Sequence, residues 1–214
     1  MHGKFITIEG TEGVGKTTNI EFIQAWLSEH HIGFVATREP GGTPLAEQIR
    51  ALLLTPGDEK ICDSAELLLM FAGRAQHLNQ VIEPNLEAGK WVVCDRFTDA
   101  TYAYQGAGRG MDRSLITHLE HLVQGALRPD LTLILDIPVE IGLKRASNRS
   151  TPDRFEQEQV EFFQRVRMGY LNTAKDDPQR CAVIDASQSL DRVQRDIKTV
   201  LEAFLVKTKG FFDD

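Results

Sequence analysis

Residues 8–19 read IEGTEGVGKTTN, and this stretch decides how the rest of the chain is organised. Before it runs KFITIE, a short β-rich run; after it Ile20, Ile23 and Leu27 recur at helical spacing. Between strand and helix, Gly10, Thr11, Glu12, Gly13, Val14, Gly15, Lys16 and Thr17 match G-x-x-x-x-G-K-[ST]. The glycines let the backbone curl until its N–H groups converge, and the helix start adds unpaired donors and the positive end of a dipole. Such a loop cradles phosphate. Lys16 is placed to reach the β- and γ-phosphates of a nucleoside triphosphate, the Thr17 hydroxyl to ligate Mg²⁺, and Thr18 follows in the same turn. Glu12 is the odd member, an acid where phosphates gather.

Outward from this loop the same rhythm repeats. GFVAT, WVVCD, LTLILD and CAVID are further β-rich runs, each ending where a loop or helix signal begins. The expectation is an α/β fold, with a central parallel five-stranded sheet whose mostly unalternated apolar strands are buried by helices on both faces. Helical stripes at Leu115, Leu119 and Leu122, and at Val193, Ile197, Val200, Leu201 and Phe204, are expected in the core. With 214 residues and no repeat or low-complexity linker, one domain spanning 1–214 is expected. Phe211 and Phe212 in the tail KGFFDD either dock or fray.

The chain carries 24 Lys+Arg against 31 Asp+Glu, a formal charge of −7, which argues against a broad electrostatic grip on nucleic acid or an anionic membrane. Cys62, Cys94 and Cys181 are odd in number and far apart, which suggests free thiols in a reducing cytoplasm. The first residues show no cleavable signal pattern, and no apolar run approaches the ~18 residues of a membrane span, so a soluble protein is expected. His118 and His121 stand three apart on a helix without a third ligand, and His30 and His31 decorate a helix end.

Ligands of parallel sheets gather at the carboxyl ends of the strands. There, after the third strand, Asp95 can hold the metal or its waters while Arg96 offers a planar fork to a second phosphate. A guanine-reading N-K-x-D and a D-x-x-G are both missing, so a GTP-hydrolysing switch is disfavoured. A small kinase acting on a phosphorylated acceptor fits better.

Five ordered blocks, EGTEGVGKTT, TREPGGTPLAEQIR, DRFTDATYAYQG, RPDLTLILD and DRFEQE, resemble bacterial thymidylate kinases through nearly the whole chain. The resemblance implies a three-layer P-loop kinase fold with a small mobile lid at about 147–154. It implies transfer of the γ-phosphoryl group of Mg-ATP to dTMP in dTTP biosynthesis, and a homodimer. It places Glu12 against the 3′-hydroxyl of the acceptor, pointing away from the ATP phosphates. The phosphate loop lacks the basic residue some members carry, and Arg149 and Arg154, flanked by Arg145, resemble the lid arginines that replace it.

For the acceptor, the resemblance implies Arg74 at the base or its phosphate, Glu39, Pro40 and Arg50 beside it, Tyr104 against the deoxyribose where a 2′-hydroxyl would collide, and Thr101 and Gln105 at the base. Met70 stands where an aromatic usually stacks on thymine, with Phe71 next to it, and Ala100 stands where a serine is common. Two other readings stay open. A kinase for another small acceptor would turn over dUMP, dCMP or AMP, and a regulatory switch would turn over ATP without any acceptor.

Overall fold

The computed structural model describes residues 2–146 and 153–210. Five parallel strands form one sheet: β1 (Phe5–Glu9), β2 (Phe34–Arg38), β3 (Trp91–Asp95), β4 (Leu131–Asp136) and β5 (Cys181–Asp185), in the order β2-β3-β1-β4-β5. Each strand run read from the sequence is a strand. β1, β3 and β4 are buried nearly end to end, as inner strands with helices on both faces must be. β2 and β5 differ: as margins with one neighbour each they are only partly covered, and Val183 is exposed.

Side chains alternate across the sheet. Ile6, Ile8, Val93 and Leu133 face α1 (Lys16–Glu29) and α9 (Leu190–Gly210), where Ile23, Leu27, Ile197 and Leu201 close one core. Phe5, Val92 and Cys94 face the other way, against Leu78 and Ile82. On that side α3 (Asp63–His77) runs through a π-helical segment, Leu78–Ile82, into α4 (Glu83–Glu87). Beside it α8 (Val160–Asp176) packs Phe163, Val166 and Tyr170 against Ile134.

Farther out, α2 (Pro44–Leu54) and α6 (Arg113–Gln124) pack on α3. Of the leucine stripe expected in the core on α6, only Leu119 packs there, against Leu67, Phe71 and Ile116. Leu115 is half exposed and Leu122 is 80% exposed, while Ile116, Glu120 and Gln124 are buried. The inward polar residues have partners: Tyr102 donates to Glu120, and Thr98 donates to Gln124. Satisfied hydrogen bonds make that face cheap to bury.

Two connections position the site. The chain leaves β1 toward β2 at one edge but leaves β3 toward β4 on the far side of β1, so a crevice opens between the carboxyl ends of β1 and β3. After β3, α5 (Thr98–Thr101) widens into a π-helical segment, Tyr102–Gly108, where the Arg109 N–H donates to the Tyr104 carbonyl. The extra residue per turn re-aims Tyr104 and Gln105. Among the described residues, no helix is long and apolar enough to cross a membrane.

Candidate active site

The phosphate loop closes on itself tightly. Gly13 has φ +71°, and a Cβ there would lie 1.9 Å from the Gly142 carbonyl oxygen on α7 (Val139–Ala146), so no other residue fits. Gly15, at φ 89°, begins α1 without any side-chain cap, which leaves the first-turn N–H groups to a ligand. Lys16 Nζ donates to the carbonyls of Gly10 (3.3 Å) and Thr11 (3.0 Å). Burial, and then the Arg96 charge, hold its pKa below the usual lysine range.

Gly13, Val14, Gly15, Lys16 and Thr17 wall one cavity together with Arg38 and Asp95. Gly10 and Thr11 line a separate small cleft with Leu135, Asp136 and Tyr170, and Thr18 is exposed on the first turn of α1. Asp95 Oδ1 is buried and has no hydrogen-bond partner. A bare carboxylate oxygen and the Thr17 hydroxyl in one cavity are hard oxygen donors, the set that suits Mg²⁺.

A second cavity adjoins the first. Glu12, Glu39, Arg50 and Arg96 line both cavities and mark the junction. Beyond them the wall is Pro40, Met70, Arg74, Ala100, Thr101, Tyr104 and Gln105, with Leu54, Phe97, Asp153 and Phe155.

Glu12 turns from the loop toward this second cavity. Its Oε1 accepts from Arg96 Nη2 (2.7 Å) and from the Tyr104 hydroxyl (2.9 Å). Burial pushes its pKa up, but Arg96, Lys16, Tyr104 and Arg50 outweigh it and hold the carboxyl below the usual glutamate range. Arg96 sits in the left-handed region at φ 67°, an uncommon backbone for an arginine that aims its guanidinium over the Tyr104 ring. Arg50 donates to the Pro40 carbonyl, which follows a cis Glu39–Pro40 peptide.

Arg74, 3% exposed, is held by Glu39 (2.8 Å) and by the Thr101 hydroxyl oxygen (3.0 Å), yet its Nη1 has no partner. Glu39 is also held by His77, whose other ring nitrogen meets Thr37. Of the residues expected at the acceptor, Phe71 does not line the cavity. It is buried with Leu67 and Ile116, and the Arg74 guanidinium lies over its ring. One residue along an α-helix turns the side chain by ~100°, so Met70 faces the cavity and Phe71 the core.

Arg154 also departs from its expected place. Expected over the phosphates, it lines neither cavity; its Nε donates to the Leu53 carbonyl and its Nη2 lies 2.6 Å from Glu66. Moving Arg154 away would leave the buried Glu66 carboxylate short of a countercharge, which is costly. Of the expected lid, 147–152 lie outside the described residues, Arg149 among them, as do Phe211 and Phe212.

Sequence reading passed over Glu66 and Tyr170, and marked Glu9 only as a strand end near the site. An acid inside the apolar run of α3 was the available signal for Glu66. Glu9 is fully buried behind Arg96, accepting from the Phe97 N–H and the Tyr170 hydroxyl. Burial and then Asp99 raise its pKa from 4.5 to about 8, against the opposing pull of Arg96 and the two hydrogen bonds.

The native state therefore keeps a proton on Glu9 that the unfolded chain releases above about 4.5. Its contribution to stability is whole below that pH and is lost as pH rises through about 8. Glu9→Gln, neutral throughout, is expected to flatten the fall in unfolding free energy between those values, by a few kcal/mol in order of magnitude. Urea melts of both proteins across that range check it; parallel pH profiles would show that Glu9 titrates normally.

A protein-family model for thymidylate kinase matches residues 8–197. The chain belongs to the thymidylate kinase family. A protein named thymidylate kinase from Pseudomonas putida is 58% identical over 210 residues, covering 98% of this chain and all of the relative. One of the same name from Teredinibacter turnerae is 58% identical over 205 residues, covering 96% of this chain and all of the relative. The crystal structure of thymidylate kinase from Ehrlichia chaffeensis superposes with a TM-score of 0.77 at 37% identity, over 94% of this chain and all of that one. As a member of a kinase family, the chain is a phosphotransferase, and its five-stranded parallel sheet flanked by helices is the architecture shared with that structure.

Proposed function

We propose that this chain transfers the γ-phosphoryl group of ATP to the 5′-phosphate of dTMP, giving dTDP and ADP. The observation that carries this reading is the shared wall: one cavity built on the phosphate loop and one half-apolar cavity meet at Glu12, Glu39, Arg50 and Arg96. Donor and acceptor phosphates meet at that junction. An oxygen of the dTMP phosphate attacks the γ-phosphorus, the bond to the β,γ-bridging oxygen breaks, and ADP leaves with the electron pair. No covalent enzyme intermediate is needed, so the protein aligns the reactants and offsets charge.

Lys16 and the loop N–H groups hold the donor. Arg96 and Arg50 bind the acceptor phosphate, Glu12 receives the 3′-hydroxyl, and Arg74 Nη1, Thr101 and Gln105 meet the base. Met70 and Phe97 supply apolar cover for it, and the Tyr104 ring closes the space a 2′-hydroxyl would need. Asp95 and Thr17 would hold Mg²⁺, which when bound offsets charge on the β- and γ-phosphates. Arg154 reaches the phosphates only after leaving Glu66 and Leu53, so in this reading charge neutralisation among the described residues falls first to Lys16, Arg50 and Arg96.

The chain works as a homodimer in this reading, because α2, α3 and α6 leave Leu45, Leu52, Leu68, Leu115 and Leu122 exposed on helices that pack side by side. A reducing cytoplasm suits its three free thiols. A coupled ADP-release assay across dTMP, its ribo analogue, dUMP, dCMP and AMP tests the reaction. Turnover is expected with dTMP foremost and to be at least tenfold poorer with the ribo analogue; ATP turnover without any acceptor would overturn the reading.

A further inference from the structure

Glu66 touches no part of either cavity, yet its carboxylate reaches the base end of the second one through a single side chain. It is 1% exposed, and its Oε1 accepts from Gln105 Nε2 at 2.8 Å. Arg109 donates to both of its oxygens, and Arg154 lies 2.6 Å from Oε2. The Arg109 guanidinium is itself pinned over the Phe155 and Phe162 rings. A carboxylate clamped between two guanidiniums accepts hydrogen bonds and does not donate them. The partner it takes from Gln105 is therefore the amide NH₂, and the amide carbonyl is the end left to the cavity.

We propose that Glu66 is a positioning residue for base selection: by holding the Gln105 amide in one orientation, it makes the site read a ring N3–H. This rests on the pyrimidine acceptor proposed above. Thymine and uracil donate from N3 and accept at O4. Cytosine accepts at N3 and donates from its 4-amino group. Against cytosine the Gln105 carbonyl meets a second acceptor, and the unpartnered Arg74 Nη1 meets a second donor. A freely turning amide would serve both bases; a clamped one leaves buried groups unpaired with the wrong base, which is where large discrimination arises.

The test is kcat/KM for dTMP and dCMP at saturating Mg-ATP in the wild type, Glu66→Gln, Gln105→Leu and the double variant. Glu66→Gln lets the amide turn over, so the dTMP/dCMP ratio is expected to fall about tenfold, mainly through the KM for dTMP. In the Gln105→Leu background the same substitution is expected to leave the ratio where it stands. A proportional loss on both acceptors with the ratio intact, or a second fall of the ratio in the Gln105→Leu background, would overturn the proposal. If Glu66→Gln does not fold, Glu66→Asp keeps the charge for both arginines while withdrawing the carboxylate. An unmoved ratio in folded Glu66→Asp overturns it equally. Wild-type protein that turns over no dTMP would overturn the acceptor reading itself, whereas normal dTMP turnover with an unmoved ratio defeats this proposal alone.

Discussion

Lys16→Ala is expected to lower kcat by about 10³-fold or more while the protein stays folded. Lys16 is only half-buried, and its ammonium bonds loop carbonyls rather than core groups, so its removal leaves the clusters around Ile8 and Ile23 intact. What is lost is a charge whose value grows as the γ-phosphoryl group moves between ATP and dTMP. The variant also removes a cation that stabilises the Glu12 carboxylate, which adds a smaller loss at the acceptor. Single-turnover transfer at saturating ATP and dTMP separates chemistry from binding, with circular dichroism as the folding control. Near-normal transfer by a folded variant would sink the donor assignment.

Arg96→Ala is expected to cut kcat/KM for dTMP by about 10²–10³-fold and to change the ATP KM by less than about threefold. Arg96 joins Glu12, Tyr104 and Tyr170 at the junction of the two cavities, so its loss both releases the acceptor phosphate and lets Glu12 drift. It also leaves a half-buried carboxylate short of its strongest partner, at a cost of about 2 kcal/mol, or roughly 5 °C in Tm for a chain of this size. Adding Glu12→Gln should restore part of the lost Tm and none of the activity. Arg96→Lys should rescue little, since an ammonium cannot span Glu12 and Tyr170 together. If titration showed ATP binding lost and dTMP binding kept, the two phosphate sites would be assigned the wrong way round.

The phosphate loop and all five strands could be read directly because each is a local pattern. Gly13 and Gly15 announce backbone angles that other residues resist, and runs such as LTLILD announce burial on two faces. The residues that line the second cavity were readable only through the ordered blocks that resemble a known family. Within those blocks, sequence placed Met70 and Phe71 side by side without deciding between them; the turn of α3 sends one to the cavity and the other beneath Arg74.

On α6 the apolar spacing misled, because Leu115 and Leu122 share a helical face that the described residues leave largely uncovered, while the buried face includes paired polar groups. Arg154 sits in a block that marks the lid, yet its place is set by Glu66, 88 positions earlier by residue number. By itself, then, the sequence determined the α/β order, the strands, the phosphate loop and the family, since periodicity and glycine chemistry act between near neighbours. Only the tertiary structure decided that Gln105 is held by Glu66, where Arg154 rests and why Glu9 keeps its proton. Those depend on desolvation and on partners brought from distant segments, and neither quantity exists until the chain has folded.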